Sequence, residues 1–302
     1  MRDDFAIFIL SHGRPEEAER RTVRTLKMSR YTGAWYLVLD SEDETHDAYV
    51  ERFGAEHVLT FDKADVRGTF DIGDNLPGPD GVVVYARNAV DRIAADRGVA
   101  YHMVLDDDYN YFAHRVLRPG HLTYAYCFHL DRLLDAMVDF LEDSGALTVA
   151  FAQGGDFVGG ASPAIFGAGP NGADGQFTHR VKRKAMNTFV CKTGRPLGFL
   201  GRLNEDTTTY VARGAVGDLF LTITAVSIDQ ANTQEQPGGL TDAYLDLGTY
   251  IKSFYTVMWA PSCVQVSVMG DTAYRMHHHV RWNNAVPKVL SDRHRKPRTA
   301  GV

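Results

Sequence analysis

Three consecutive aspartates, Asp106, Asp107 and Asp108, follow directly on the apolar run Tyr101-His102-Met103-Val104-Leu105. An open α/β sheet usually presents its ligands at the carboxyl ends of its strands, and a buried strand that ends in three charges needs a reason to do so. Carboxylates this close repel one another unless a cation or protons neutralise them. Mg²⁺ and Mn²⁺ suit such a place, because they are commonly held by one or two carboxylates together with substrate phosphates. The alternative is a solvated acidic turn. The buried strand that feeds the triplet favours a metal–diphosphate site.

Other residues could serve the same chemistry. Arg87 and Asn88 lie on the helix ahead of the aspartate strand, where an arginine can pair with phosphate or simply face solvent. Asp40 ends the second strand and could bond a nucleobase or ribose, or cap the next helix. Arg14 follows the first strand and could stack on or bond to the base. Asn204-Glu205-Asp206 offers carboxylates that could take a proton from an acceptor hydroxyl, although acids also suit a helix N-terminus. In His277-His278-His279, alternation along a strand puts His277 and His279 on one face, from which either could complete a metal held mainly by aspartate.

The elements that must position these groups alternate. Phe5 to Leu10 is a buried strand closed by Ser11-His12-Gly13-Arg14-Pro15, with a helix opening at Pro15. Strands are expected at 35–39 and 58–61, a charged helix through about Phe53, a Gly/Pro-rich loop over 62–81, a helix over 82–95 and a strand over 101–105. This order predicts an α/β fold with a mixed, mostly parallel Rossmann-like sheet flanked by helices. Beyond the aspartates the pattern loosens. It gives a helix over 128–141, strands over 146–152, 187–191, 218–226 and 273–280, a short helix after Glu205 and a helix over 241–258. The glycine-crowded stretch 153–176 reads as a functional loop, and 229–241 as another polar loop.

Composition bounds the partners. The chain has 302 residues, 44% hydrophobic and 23% charged, and no apolar run near the 18 residues of a membrane span. The N-terminus enters a strand at once, without the features of a secretory signal, so a cytoplasmic protein is expected. Cys127, Cys191 and Cys263 are widely spaced and read as reduced thiols. Net charge is −6, yet cations cluster at His179 to Lys184 and in the tail from Lys288 to Arg298. Each cluster is either a solvated face or a grip on a phosphate backbone. One domain is expected over 1–290, in two parts at 1–110 and 111–290, with a basic tail at 291–302.

Taken in order, the features resemble the GT-A glycosyltransferase layout: the loop Ser11–Arg14, the helix motif Ala86-Arg87-Asn88, the triplet Asp106-Asp107-Asp108, Asn204-Glu205-Asp206 and the histidine run. The segments Phe5 to Pro15, Leu105-Asp106-Asp107-Asp108-Tyr109 and Gly248-Thr249-Tyr250 are similar to the TET/JBP-associated glycosyltransferases, over most of the chain. That resemblance implies transfer of a sugar from a UDP-sugar (UDP-glucose or UDP-GlcNAc) to 5-hydroxymethylcytosine or a related hydroxymethyl-pyrimidine in DNA, in a phage setting and hence a host cytoplasm. It implies that Ser11, Arg14, Asp40, Arg87, Asn88 and Asp106 bind donor. Asp106 and Asp108, with His277 or His279, would hold Mn²⁺ or Mg²⁺. Asp206 would be the general base if configuration inverts, with Glu205 positioning the acceptor. DNA would be gripped by Arg180, Lys182, Arg183, Lys184 and Arg281, with Trp282 stacking on a base that is unpaired or flipped. Two rivals stand beside this: the same chemistry on a protein, glycan or lipid, and a catalytically silent DNA-binding module.

Overall fold

The structure is a computed structural model, and it describes residues 1–73, 83–118, 121–153, 188–231, 251–269, 275–285 and 292–294. A nine-stranded sheet runs in the order β3-β2-β1-β4-β8-β7-β9-β5-β6. Its members are β1 (Phe5–Leu10), β2 (Ala34–Asp40), β3 (Val58–Phe61), β4 (Tyr101–Asp106), β5 (Tyr109–Arg118), β6 (His121–Tyr126), β7 (Thr148–Gln153), β8 (Phe189–Lys192) and β9 (Phe220–Gln230). The first four strands pair in parallel, as does β7 with β9, while β8, β5 and β6 join antiparallel. The mixed α/β sheet expected from the sequence is what forms.

Every residue of β1 is buried, which is why it reads as an unbroken apolar run instead of an alternating one. Ala6, Phe8 and Leu10 face the layer that holds α5 (Val83–Asp96); Phe5, Ile7 and Ile9 face the layer that holds α6 (Leu130–Ser144). In α6 the buried residues Leu130, Leu134, Met137, Val138 and Leu141 fall on one helical face. Gly145, at φ 66°, then ends the helix in a left-handed turn that a side chain would resist.

Register does the positioning. Leu10 pairs with Val38 on one side and with Asp106 on the other, so β1, β2 and β4 end along one rim. Ser11, Asp40 and Asp106 therefore stand at the same edge. A continuous helical segment, α1 (Pro15–Ala18), a π-helical turn (Glu19–Val23) and α2 (Arg24–Met28), leads away from that rim. α7 (Glu205–Ala215), α8 (Ile251–Trp259) and the ribbon of β10 (Val264–Met269) with β11 (Arg275–Val280) cover the α5 side.

Three differences from the sequence-based expectation have physical causes. β5, β6 and β10 were not anticipated, because β5 and β6 mix buried and exposed positions near the sheet edge and lack a clean period. The stretch 62–81 contains a helical turn, α4 (Lys63–Val66), capped by Asp62, whose carboxylate accepts the Ala64 N–H. Within the stretch expected to be a basic tail, Arg293 and His294 are tied down: Arg293 pairs with the buried Asp218, and His294 donates from Nδ1 to the Gly145 carbonyl at 2.7 Å. The glycine-rich segment 154–176, the basic cluster 179–184 and the Gly248–Tyr250 motif lie outside the described residues. Among the described residues no helix is long and apolar enough to cross a membrane.

Candidate active site

The three aspartates part company at the end of β4. Asp107 is fully buried and turns inward. It accepts two parallel bonds from Arg14, Nε at 3.0 Å and Nη2 at 2.6 Å, and a third from Ser11 Oγ at 2.5 Å. Tyr49 joins this knot: its hydroxyl lies 2.5 Å from Ser11 Oγ and accepts the Arg14 N–H at 3.1 Å. Asp106 and Asp108 stay partly exposed on either side.

Asp106 accepts from Arg87 Nη2 at 2.9 Å, and Arg87 Nε reaches Glu205 at 2.8 Å. Arg87 thus joins the end of β4 to the first turn of α7. Burial disfavours its charge, but Asp106 and Glu205 outweigh burial and hold it firmly protonated. Phe189 and Phe199 place their rings 5.9 and 5.6 Å from its guanidinium, and its Nη1 is buried without a hydrogen-bond partner. Burial pushes the Glu205 carboxyl up to about 7, against the pull of Arg87.

Asp108 is held by a neutral group, the Gln230 amide, at 2.9 Å. Burial and then the negative charges of Asp106 and Asp107 push its carboxyl up to about 7. Of the three, Asp106 and Asp107 have arginine partners and Asp108 has an amide, which is the imbalance a bound cation would relieve.

Most of the remaining residues singled out in the sequence are committed elsewhere. Asp40 pairs with Lys63 and accepts the Glu42 N–H at 3.0 Å, closing the turn after β2. Asn88 bonds both backbone groups of Phe199, at 2.8 Å to N and 3.1 Å to O, and so pins the loop ahead of α7. Asp206 is half-buried and accepts the Thr207 N–H at 2.6 Å. His278 is the histidine brought towards this loop, its Nδ1 3.3 Å from Asn204 Nδ2, with the His277 ring 4.1 Å away; His279 is exposed. Among the described residues no three His, Cys, Asp or Glu side chains converge as metal ligands. Arg281 donates to Gln265 at 2.8 Å; Trp282 opens a helical turn, Trp282–Ala285. Arg180, Lys182, Arg183 and Lys184 lie outside the described residues.

Three supporting residues escaped the sequence reading. Tyr49 and Gln230 carry no local signal, since each reaches the site through the fold. Asp43 holds the loop after β1 in place by accepting from Gly13 N at 3.0 Å, Thr45 N at 2.8 Å and Thr45 Oγ1 at 2.6 Å. Burial alone would raise its carboxyl, but bonds from His12, Thr45 and Gly13 win and hold it well below the usual range.

The site is thus a strand-end carboxylate cluster bracketed by two arginines at the rim of a mixed α/β sheet. The TET-Associated Glycosyltransferase family model matches residues 5–239 of the chain, and the chain belongs to that family. It is a glycosyltransferase by that membership. No curated protein sequence matches it. Among solved structures, a mannosyltransferase from Pyrobaculum calidifontis, solved with GDP-Man and Mn²⁺, is 12% identical, with 76% of this chain and 57% of that chain covered and a TM-score of 0.43. This chain therefore spans a little over half of that protein. Glucosyl-3-phosphoglycerate synthase from Mycobacterium tuberculosis, solved with Mg²⁺ and UDP, is 10% identical over 92% and 88%, at 0.43. S. aureus TarS 1–349 with UDP is 9% identical over 86% and 66%, at 0.45. At these identities and scores no property of those proteins passes to this chain.

Proposed function

We propose that the chain moves a sugar from a UDP-sugar to the hydroxymethyl group of 5-hydroxymethylcytosine, or a related hydroxymethyl-pyrimidine, in DNA. The observation that carries the transfer chemistry is the split of the triplet: Asp107 is consumed by Arg14, leaving Asp106 and Asp108 together at the rim with Asp108 lacking a cationic partner among the described residues; the DNA acceptor rests on the family resemblance. Two carboxylates are the number a Mg²⁺ or Mn²⁺ needs when a diphosphate supplies further ligands, and their hard oxygen donors suit either ion. When bound there, the cation would offset the charge that builds on the departing UDP.

Every other step belongs to side chains. Arg87 keeps Asp106 and Glu205 at fixed separation, and its buried Nη1 is a donor in reserve for a donor oxygen. If configuration inverts, Asp206, in the partly exposed first turn of α7, takes the proton of the acceptor hydroxyl as its oxygen attacks C1 of the sugar and the bond from C1 to UDP breaks; if configuration is retained, Asp206 has no such role. Glu205, fixed by Arg87, positions the acceptor. A further metal ligand would come from His277 or His279 of β11, the residues the family resemblance favours, although the histidine beside Asn204 is His278. The acceptor base is reached unpaired or flipped.

The test is incubation with common UDP-sugars and hydroxymethylated DNA, followed by mass spectrometry of the digested nucleosides. A glycosylated hydroxymethyl-pyrimidine is expected, and its absence with every donor would sink the DNA acceptor. Metal-dependent UDP release that vanishes in Asp108→Ala would still establish the transferase chemistry; DNA binding with no such release would mean a silent module.

A further inference from the structure

Two glutamines line up behind the last aspartate of the triplet. Asp106 and Asp107 are each met by an arginine, whereas Asp108 is met by the side-chain amide of Gln230, at 2.9 Å. The backbone makes the same junction, with the Ala231 N–H donating to the Asp108 carbonyl at 3.0 Å. Behind Gln230 stands Gln153, buried at the end of β7, whose amide donates to the Gln230 side-chain carbonyl. Arg115 of β5 holds that strand end by donating to the Gln153 backbone carbonyl at 3.2 Å. Three strands thus converge behind one carboxylate.

The sheet departs from regular pairing to bring this about. Between β7 and β9 the register runs from Phe151 opposite Ile223 to Ala152 opposite Ser227, a step of one residue on β7 against four on β9. With even pairing Gln153 would stand opposite Ala225. With the shift it stands opposite Ile228, two residues from Gln230 and on the same face. A second irregularity falls beside the same glutamine: Gln230 faces Tyr109 and Asp229 faces Tyr111, leaving Asn110 as the extra residue of β5. Bulges gather next to active sites, where they re-aim a side chain. Gln230 lies between two of them.

The polarity of the row is set at its inner end. An ionised carboxylate only accepts hydrogen bonds, so Gln230 must turn its NH₂ towards Asp108 and its carbonyl away. That carbonyl needs a donor, which Gln153 supplies. With both ends engaged the Gln230 amide is held against a flip, and Asp108 is held with it. An arginine would hold the carboxylate equally well, but it would also offset the charge that a cation must find there. An amide orients the carboxylate and leaves its charge intact, as the outer hydrogen bonds of metal-ligating carboxylates do.

We infer that Gln230, backed by Gln153, is the positioning residue of the cation site: it sets the direction of the Asp108 carboxylate without offsetting its charge. This rests on the metal–diphosphate reading above and deepens it, because it names what aims the ligand carboxylate before a cation binds. Neither glutamine touches the reacting atoms; both act through Asp108.

The experiment titrates Mn²⁺ into the full chain with UDP present and reads free Mn²⁺ by electron paramagnetic resonance. Urea unfolding of the metal-free protein runs in parallel. Gln230→Met keeps the volume and removes the donor, so Mn²⁺ binding should weaken about 10- to 100-fold. Gln153→Met leaves the contact to Asp108 but frees the amide to turn, and the loss should be smaller, below about tenfold. Gln230→Lys still donates to Asp108 but brings a positive charge. Mn²⁺ binding should then fall at least as far as in Gln230→Met, while stability to urea holds or rises. Weaker metal binding in a protein of equal or greater stability is a result that damage to the fold does not produce. Wild-type Mn²⁺ affinity in Gln230→Met overturns the positioning role. Wild-type affinity in Gln230→Lys overturns the part played by its neutrality. Asp108→Ala separates these failures from that of the reading beneath them: if it binds Mn²⁺ as the wild type does, the metal site itself falls, and the role of Gln230 with it.

Discussion

The middle aspartate is expected to carry structure and its neighbour chemistry, and a double-mutant cycle separates the two. Asp107 has no exposed surface and receives three hydrogen bonds, two of them from an Arg14 side chain that is only 24% exposed. Replacing one partner of such a pair strands the other charge and costs about 3–5 kcal/mol. The residual exposure of Arg14 lets water recover part of that loss, so Asp107→Asn should fall near the lower bound, about 3 kcal/mol. For 302 residues this corresponds to a drop in Tm of about 5 °C. Arg14→Met should cost at least as much, because the fully buried carboxylate loses both bonds. The double variant should be less destabilised than the sum by about 2 kcal/mol. Asp108→Asn behaves differently: burial resists both carboxylates, but Asp108 has only the Gln230 amide as side-chain partner among the described residues and its loss strands no cation, so urea stability should hold or rise while metal-dependent UDP release disappears. Stability lost in Asp108→Asn but kept in Asp107→Asn would refute this division of labour.

Three further outcomes are expected. Arg87→Lys cannot reproduce the fork that joins Asp106 to Glu205, and transfer should fall about 100-fold or more through misplacement alone; a variant within threefold of wild type would remove Arg87 from the site. His102 is buried beside Thr193, 3.0 Å away, and burial pushes its imidazole down to about 4. Its contribution is complete above the unfolded value near ~6.5 and is lost as pH falls through about 4, in all about 3 kcal/mol, so His102→Gln should flatten acid unfolding between those values in urea titrations. An identical pH profile for both proteins would contradict a neutral buried ring. Arg293→Ala with His294→Ala removes two partners of the fully buried Asp218 and should cost about 2–4 kcal/mol without altering UDP release, because Asp218 precedes β9 at the end of the sheet opposite the carboxylates; lost activity at unchanged stability would show that the tail serves the site.

What could be read in the chain follows from how far each signal must reach. β1 and β4 are buried on both faces, so their apolar runs mark strands whatever they pair with, and register alone then sets Asp106 beside Leu10. The triplet was legible for the same reason: a charge run cannot follow a buried strand without purpose. That the middle aspartate turns inward was also within reach, because side chains at a strand end alternate, and an arginine four residues past β1 was available to meet it. Arg87 was legible as a residue of the site but not as a bridge, since its second partner lies 118 positions away and only the path of the loop pinned by Asn88 brings Glu205 to it. The β5–β6 ribbon was hidden because a strand near an edge, wet on one face and bordered by a polar hairpin, shows no period that distinguishes it from a loop. It follows that the part of the site built on buried parallel strands announces itself in sequence, whereas the strands at the open edge become visible only once the sheet order is known.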